Sequence, residues 1–220
     1  NKTRRYICEY TVTQSADFTA QWKLVDYELR YHVNNSLAGE IPSQKFTILT
    51  DDFSLLNPAI PYADFIGWYE TADFSGEHIS EIEKGTDHDV DVYGKWEYNI
   101  FINYDAAAGS VTATKPIEDG KTTITTGDEV TLTATAADGY VLKEIAVKSA
   151  STAEAPQTGS AYTFKDLNED AFFTAYFVKA YTVTFDANDG SGEKTSRTII
   201  PGEAITLPER VRSGYQFNGW

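Results

Sequence analysis

The residues able to do chemistry are few and scattered. The three histidines, His32, His78 and His88, have no partner four residues away and no cysteine pair nearby, so they lack the ligand spacing of a zinc site. Asp87, Asp89 and Asp91 alternate along Thr86-Asp87-His88-Asp89-Val90-Asp91, which puts three carboxylates on one strand face and makes them calcium candidates. Carboxylates in line on a strand diverge more than a cation cage requires, and the central Gly and terminal Glu of a calcium loop are absent. Asp186, Asn188 and Asp189 form a second cluster of the same kind. No metal and no cofactor is expected. There is no Gly-x-Ser-x-Gly elbow, and Gly190-Ser191-Gly192 reads as a turn. Gly192-Glu193-Lys194-Thr195 ends like a phosphate loop but lacks the spaced leading glycine and the following helix. A pair of acids for sugar hydrolysis can always be found among 33 acidic residues, but nothing suggests a cleft to hold them. With no catalytic constellation, the chain is expected not to be an enzyme. Tyr69, Tyr93 and Tyr104 remain as candidates for an exposed aromatic face that binds a glycan or a host protein.

Composition bounds the partners. The 220 residues include 33 acidic and 18 basic ones, for a net charge of -15, which excludes a general binder of nucleic-acid phosphates. The same charge opposes docking on anionic lipid, and no apolar run is long enough to span a bilayer, so no membrane insertion is expected. Aromatic content of 14% is too high for a disordered acidic tail. The single cysteine, Cys8, rules out an intramolecular disulfide framework and reads as a strand residue. There is no methionine and the first residue is Asn1, which reads as a piece taken from something longer.

The elements that would position any site are strands. Tyr27-Glu28-Leu29-Arg30-Tyr31-His32-Val33 alternates apolar and polar residues, as do Val130 to Thr135 and Tyr181 to Phe185. Turn residues separate these runs at Asn34-Asn35, Asp138-Gly139 and Asn188-Asp189-Gly190. Glu77 to Glu83 (EHISEIE) is the one stretch that fits a helical turn or two. The pattern also repeats. Thr50-Asp-Asp-Phe-Ser-Leu55 leads to Phe65-Ile-Gly-Trp68, and Gly202-Glu-Ala-Ile-Thr-Leu207 leads to Phe217-Asn-Gly-Trp220 over the same interval. A closing motif recurs at Phe18 to Trp22, Val92 to Trp96 and Phe173 to Phe177, and a new strand opens soon after each, at Tyr27, Tyr98 and Tyr181. This divides the chain into a closing hairpin at 1–22, a whole unit at 23–96, a divergent whole unit at 97–179 and an opening part at 180–220. The linkers are short, at Lys23-Leu24-Val25, Glu97 and Val178-Lys179-Ala180, which makes a semi-rigid string.

Tyr181 to Glu193, Pro201 to Pro208 and Gly214 to Trp220 together resemble the Listeria–Bacteroides repeat, or internalin B-repeat. Residues 23–96, with Phe65-Ile-Gly-Trp-Tyr69 and Val92-Tyr-Gly-Lys-Trp96, look like a complete copy. Residues 97–179, with Gly127 to Ala134 and Asp138 to Leu142, look like the divergent version. One departure is Tyr62-Ala63 where the family has Gly-Tyr, which puts the local turn in doubt. The resemblance implies a mainly β fold, with tandem small β-grasp-like or β-sheet modules in an elongated array. It implies an extracellular or bacterial cell-surface location, a stalk or spacer role with adhesion, and no catalytic residues. Its structural signatures fall on Trp22, Trp68, Trp96, Gly139, Tyr140, Phe177, Gly214, Tyr215 and Trp220. The expected partners are neighbouring repeats of the same protein, with a host protein or glycan as the alternative.

Two physical expectations stand beside the resemblance. Asp138-Gly139 and Ser213-Gly214 offer the positive φ of a tight turn, after which the aromatic would enter the core. Residues 1–22 and 180–220 are complementary halves of a unit, so one molecule's tail is expected to complete another's head through an added strand. Nothing in the sequence points to a Lys–Asn isopeptide crosslink.

Overall fold

The computed structural model describes residue 11 and residues 13–220. The closing hairpin expected in 1–22, with Cys8 in it, lies largely outside the described residues. From residue 13 to residue 22 there is no strand, and Trp22 is 92% exposed, so it covers no core within this chain.

The first group of strands is β1 (Tyr27–His32), β2 (Gln44–Phe46), β3 (Phe53–Ser54), β4 (Asp64–Tyr69), β5 (Glu81–Ile82) and β6 (Val90–Tyr104). β1 pairs antiparallel with β2 on one side and parallel with the first half of β6 on the other. β4 flanks that half of β6, antiparallel. The second group adds β7 (Gly109–Ala113), β8 (Lys121–Thr125), β9 (Glu129–Ala136), β10 (Tyr140–Ser149), β11 (Ala155–Gln157), β12 (Ala161–Lys165) and β13 (Ala171–Lys179). Here the second half of β6 plays the part of β1. It pairs antiparallel with β8 and parallel with β13, while β10 flanks β13 antiparallel. The register repeats too. Tyr31 faces Val92 and Ile102 faces Phe173, in each case four residues after the opening tyrosine and four before the closing aromatic.

β6 therefore closes the first unit and opens the second without a break. Glu97, expected as a linker, is a strand residue with Thr125 opposite it on one side and Asp64 on the other. Its neighbours alternate strictly, with Val90, Val92, Gly94, Trp96, Tyr98 and Ile100 buried and the residues between them facing outward. Side chains of a strand alternate between two faces, so one uninterrupted period puts both cores on the same side of one eight-stranded sheet. The seam is also hydrogen-bonded across its flanks. Buried Asn35 donates to the Tyr98 hydroxyl at 3.1 Å and to the Asn168 carbonyl at 2.8 Å, and the Asp170 amide donates to the Tyr62 carbonyl at 2.7 Å.

Large aromatics fill the first core. Trp68 and Trp96 are fully buried, and the Phe65 ring meets each edge-on at 5.1 and 5.0 Å. The Trp96 indole donates to the Val33 carbonyl at 2.7 Å, and Gly94 lets that carbonyl approach, since a Cβ there would lie 2.7 Å from the same oxygen. In the second core, Val130, Leu132 and Phe164 of the β12-β9-β7 sheet join one cluster with Tyr98, Ile100, Ile124, Ile145 and Phe173.

The last strands, β14 (Tyr181–Asp186) and β15 (Lys194–Ile199), repeat the opening hairpin. Three contacts of the first unit recur here. Trp68 donates its indole N–H to the Leu56 carbonyl and Trp220 to that of Pro208, each twelve residues earlier, at 3.0 and 2.8 Å. Trp68 meets Tyr31 edge-on at 5.1 Å, and Trp220 meets Phe185 at 5.2 Å. Phe65 and Phe217, each three residues before its tryptophan, complete the clusters. Without a closing strand beside it, this cluster stays half open, with Phe217 and Trp220 both exposed.

Two local expectations change. Glu77 to Glu83 is not helical, and no helix occurs among the described residues. Ile79 bridges to Trp68, and Glu81–Ile82 pairs with Phe53–Ser54, because burying Ile82 in the core outweighs a short helical propensity. Gly139 and Gly214 take positive φ of 80° and 81°, but the aromatics that follow do not both enter a core. Tyr140 is half-buried, whereas Tyr215 is 68% exposed, with the Arg212 guanidinium 4.1 Å from its ring centre.

A shared strand makes the two units lose stability together. Trp96→Ala should cost about 3–5 kcal/mol, and its denaturant midpoint should fall for probes in both units alike. Retention of the 97–179 transition at its original midpoint would show that the units unfold separately.

Candidate functional site

The outer face of β1, β4 and β6 carries most of the polar and aromatic candidates. Arg30 gathers the acids of this face, with Nη2 at 2.9 Å from Glu28 and 3.0 Å from Asp89, and Nη1 at 3.4 Å from Asp91. Asp91 also meets His32 Nε2 at 2.8 Å, and Asp89 accepts the Glu28 amide at 3.0 Å. The Arg30 guanidinium, then the Glu28 amide, hold the Asp89 carboxyl below its ordinary value. The Ser43 hydroxyl, then Arg30, do the same for Glu28. Asp87 is outside this network, largely exposed and 3.5 Å from His88. The calcium candidates therefore do not converge: Asp89 and Asp91 turn to Arg30, and Asp87 turns to solvent. Among the described residues, no group of three or more His, Cys, Asp and Glu side chains is placed to hold a metal. In the other cluster, Asp186 accepts the Asn188 amide and Asp189 accepts the Ser191 amide, both at 2.9 Å, so these carboxylates cap the hairpin turn.

The aromatic candidates split in two. Tyr69 and Tyr93 are directly opposed on β4 and β6. His32 stacks on Tyr93 at 4.5 Å, Phe74 meets Tyr69 edge-on at 5.8 Å, and the Lys95 ammonium lies 5.4 Å from the Tyr69 ring centre and 5.5 Å from that of Phe74. Tyr104 ends the same strand, roughly 35 Å away at strand rise, and belongs to no common face with them.

A second polar constellation had no sequence signal, because its members are distant in the chain. Asn99 on β6 accepts from Lys121 Nζ on β8 at 2.8 Å. Its amide nitrogen lies 3.2 Å from the carboxylate of Asp170, whose Oδ1 also accepts the Asn99 backbone N–H at 2.6 Å. Asp170 is only 8% exposed. Beside this row, Phe101 and Phe172 stack at 5.1 Å, Lys148 lies 4.9 Å over Phe172, and a cleft of about 380 Å³ opens between them and Tyr176.

Tyr62 anchors that row from the first unit. It takes a left-handed φ of 63°, matching the 81° of Gly214 at the equivalent place. The turn is thus kept although the glycine is not, and the strained residue's carbonyl receives the Asp170 amide.

Two family models match the chain. Residues 102–180 match the divergent InlB B-repeat domain, and residues 181–220 match the Listeria-Bacteroides repeat domain. No curated protein and no solved structure matches it.

A left-handed conformation costs a side-chain-bearing residue about 1–2 kcal/mol, and a glycine gives back about 0.5–1 kcal/mol in chain entropy. Tyr62→Gly should leave the thermal midpoint unchanged or raise it, by up to about 1.5 kcal/mol in stability. A clear drop in midpoint would mean that the Tyr62 ring, not its backbone, stabilises the seam.

Proposed function

From a chain whose residues 102–180 are a divergent InlB B-repeat domain and whose residues 181–220 carry the Listeria-Bacteroides repeat domain, we propose a non-enzymatic spacer in a bacterial cell-surface or secreted protein. The observation that carries this reading is the passage of β6 through two units. A spacer must hold its ends apart, and a linker of free residues would let neighbouring modules collapse or swing. A strand hydrogen-bonded on both sides through the boundary cannot hinge there without breaking its ladders.

Residues 23–96 are then a further Listeria-Bacteroides repeat, because they share with 181–220 the indole-to-carbonyl bond and the two edge-on ring pairs. The open edge of β14 is where a closing strand adds. Among the described residues β14 pairs only with β15, whereas β1 and the second half of β6 each hold a parallel closing strand on their other edge. Residues 18–22 of another copy have the closing pattern, and the repeated register would set Phe18 opposite Phe185, which joins copies head to tail.

The alternative, a glycan- or host-protein-binding face, rests on the His32–Tyr93–Tyr69–Phe74 strip. Lys95 already lies over two of those rings, and this favours the spacer.

Small-angle scattering tests the proposal. A spacer should give a radius of gyration well above the value of about 17 Å for a compact chain of this length, growing with concentration as copies join. A concentration-independent value near the compact one would refute both the spacer and the joining.

A further inference from the structure

Two side chains, Lys121 and Asp170, stand on either side of one carboxamide. Asn99 lies in the middle, on β6. Lys121, from β8, places its amine on the oxygen of that carboxamide, at 2.8 Å. Asp170, just before β13, places its carboxylate on the nitrogen, at 3.2 Å to Oδ1 and 3.4 Å to Oδ2. This sets an amine beside the carbonyl of an amide and an acid beside the nitrogen that acyl transfer would release.

The geometry points to a modification: we propose that Lys121 and Asn99 condense into an isopeptide bond, with Asp170 relaying the proton. Lys121 Nζ forms a bond to Asn99 Cγ. Lys121 enters as the free amine, its first proton having gone to solvent. Once Nζ is bonded to Cγ it stands beside Nδ2. There the carboxylate of Asp170, which touches Nδ2, takes the surplus proton of Nζ and gives it to Nδ2. The Cγ–Nδ2 bond then breaks and ammonia leaves. One ammonium side chain and one carboxamide become one secondary amide and one ammonium ion in solution, so atoms and charge balance and nothing is oxidised or reduced. Asp170 is a catalytic residue here in the strict sense, since it touches the reacting nitrogen. This is a single self-modification, not turnover.

Three further features suit the reaction. The carboxylate is pinned, because its Oδ1 also accepts the Asn99 backbone N–H at 2.6 Å and its residue is nearly buried. Among the described residues no carboxylate lies within ion-pair distance of Lys121, so no ion pair competes with the carboxamide for its amine. Phe101 is the direct cross-strand neighbour of Lys121 and stacks on Phe172, which walls one side of the row with apolar surface. Holding nucleophile and carbonyl in hydrogen-bond contact on two laddered strands supplies the high effective concentration that an unactivated amide needs.

The product would tie β8 covalently to β6, the strand that both units share. Intact-mass measurement of the purified chain decides the matter, read together with a digest. The expected result is a mass short by one ammonia and a branched peptide joining Lys121 to Asn99. Lys121→Arg should restore the full sequence mass. Asp170→Asn should do the same while the far-ultraviolet circular dichroism stays that of the parent. Full mass in the parent after prolonged incubation at mildly alkaline pH would overturn the proposal. So would an ammonia loss that persists in Lys121→Arg, which marks a succinimide at an asparagine. Coupling of Asp170→Asn at the parent rate would remove Asp170 from the reaction.

Discussion

Strand β6 has to satisfy two neighbourhoods at once. Its first half needs a parallel partner in β1 and an antiparallel one in β4, and its second half needs β13 and β8. Backbone N–H and C=O groups in a buried strand must be paired, so the boundary at Glu97 is fixed by ladders on both sides and not by a turn. Everything that gives the chain its organisation follows from this. The two cores share a face, the seam contacts at Asn35 and Tyr62 come into reach, and the repeated register places each closing aromatic over its own core.

The module itself is small, and that explains its use of aromatics. A unit of this size buries limited apolar surface, so single large rings matter more than in a large domain. In the first unit Trp68 and Trp96 are fully buried with Phe65 against both, and the indole N–H groups are each satisfied by a carbonyl. In the C-terminal part the equivalent tryptophan makes the same bond to the carbonyl twelve residues back, with its edge-on rings, while β14 pairs only with β15 among the described residues.

Much of the fold was legible from pattern, and the failures have physical causes. Apolar residues recur at every second position from Val90 to Ile102 except at Gly94, but Tyr93 and Phe101 blur the pattern on the other face, and the repeat that closes at Trp96 suggests a boundary at Glu97. By sequence alone Glu77 to Glu83 fits a helical turn or two. Tertiary burial of Ile82 decided otherwise. At Tyr62 the glycine was missing but the backbone conformation was not, since the seam bond to Asp170 holds it. The carboxylates at Asp87, Asp89 and Asp91 were visible, whereas their capture by Arg30 across the parallel pair was not. Asn99 and Asp170 are 71 residues apart, and only the parallel pairing of β6 with β13 sets them side by side.

Native-state hydrogen exchange along β6 bears most directly on the shared strand. Its inward-bonded amides from Asp91 to Ile102 should exchange with a common free energy and a common dependence on denaturant, with no step at Trp96, Glu97 or Tyr98. Fast, denaturant-independent exchange at those three residues, flanked by two groups of different stability, would mean that the units are joined by a hinge and that the strand is shared in name only.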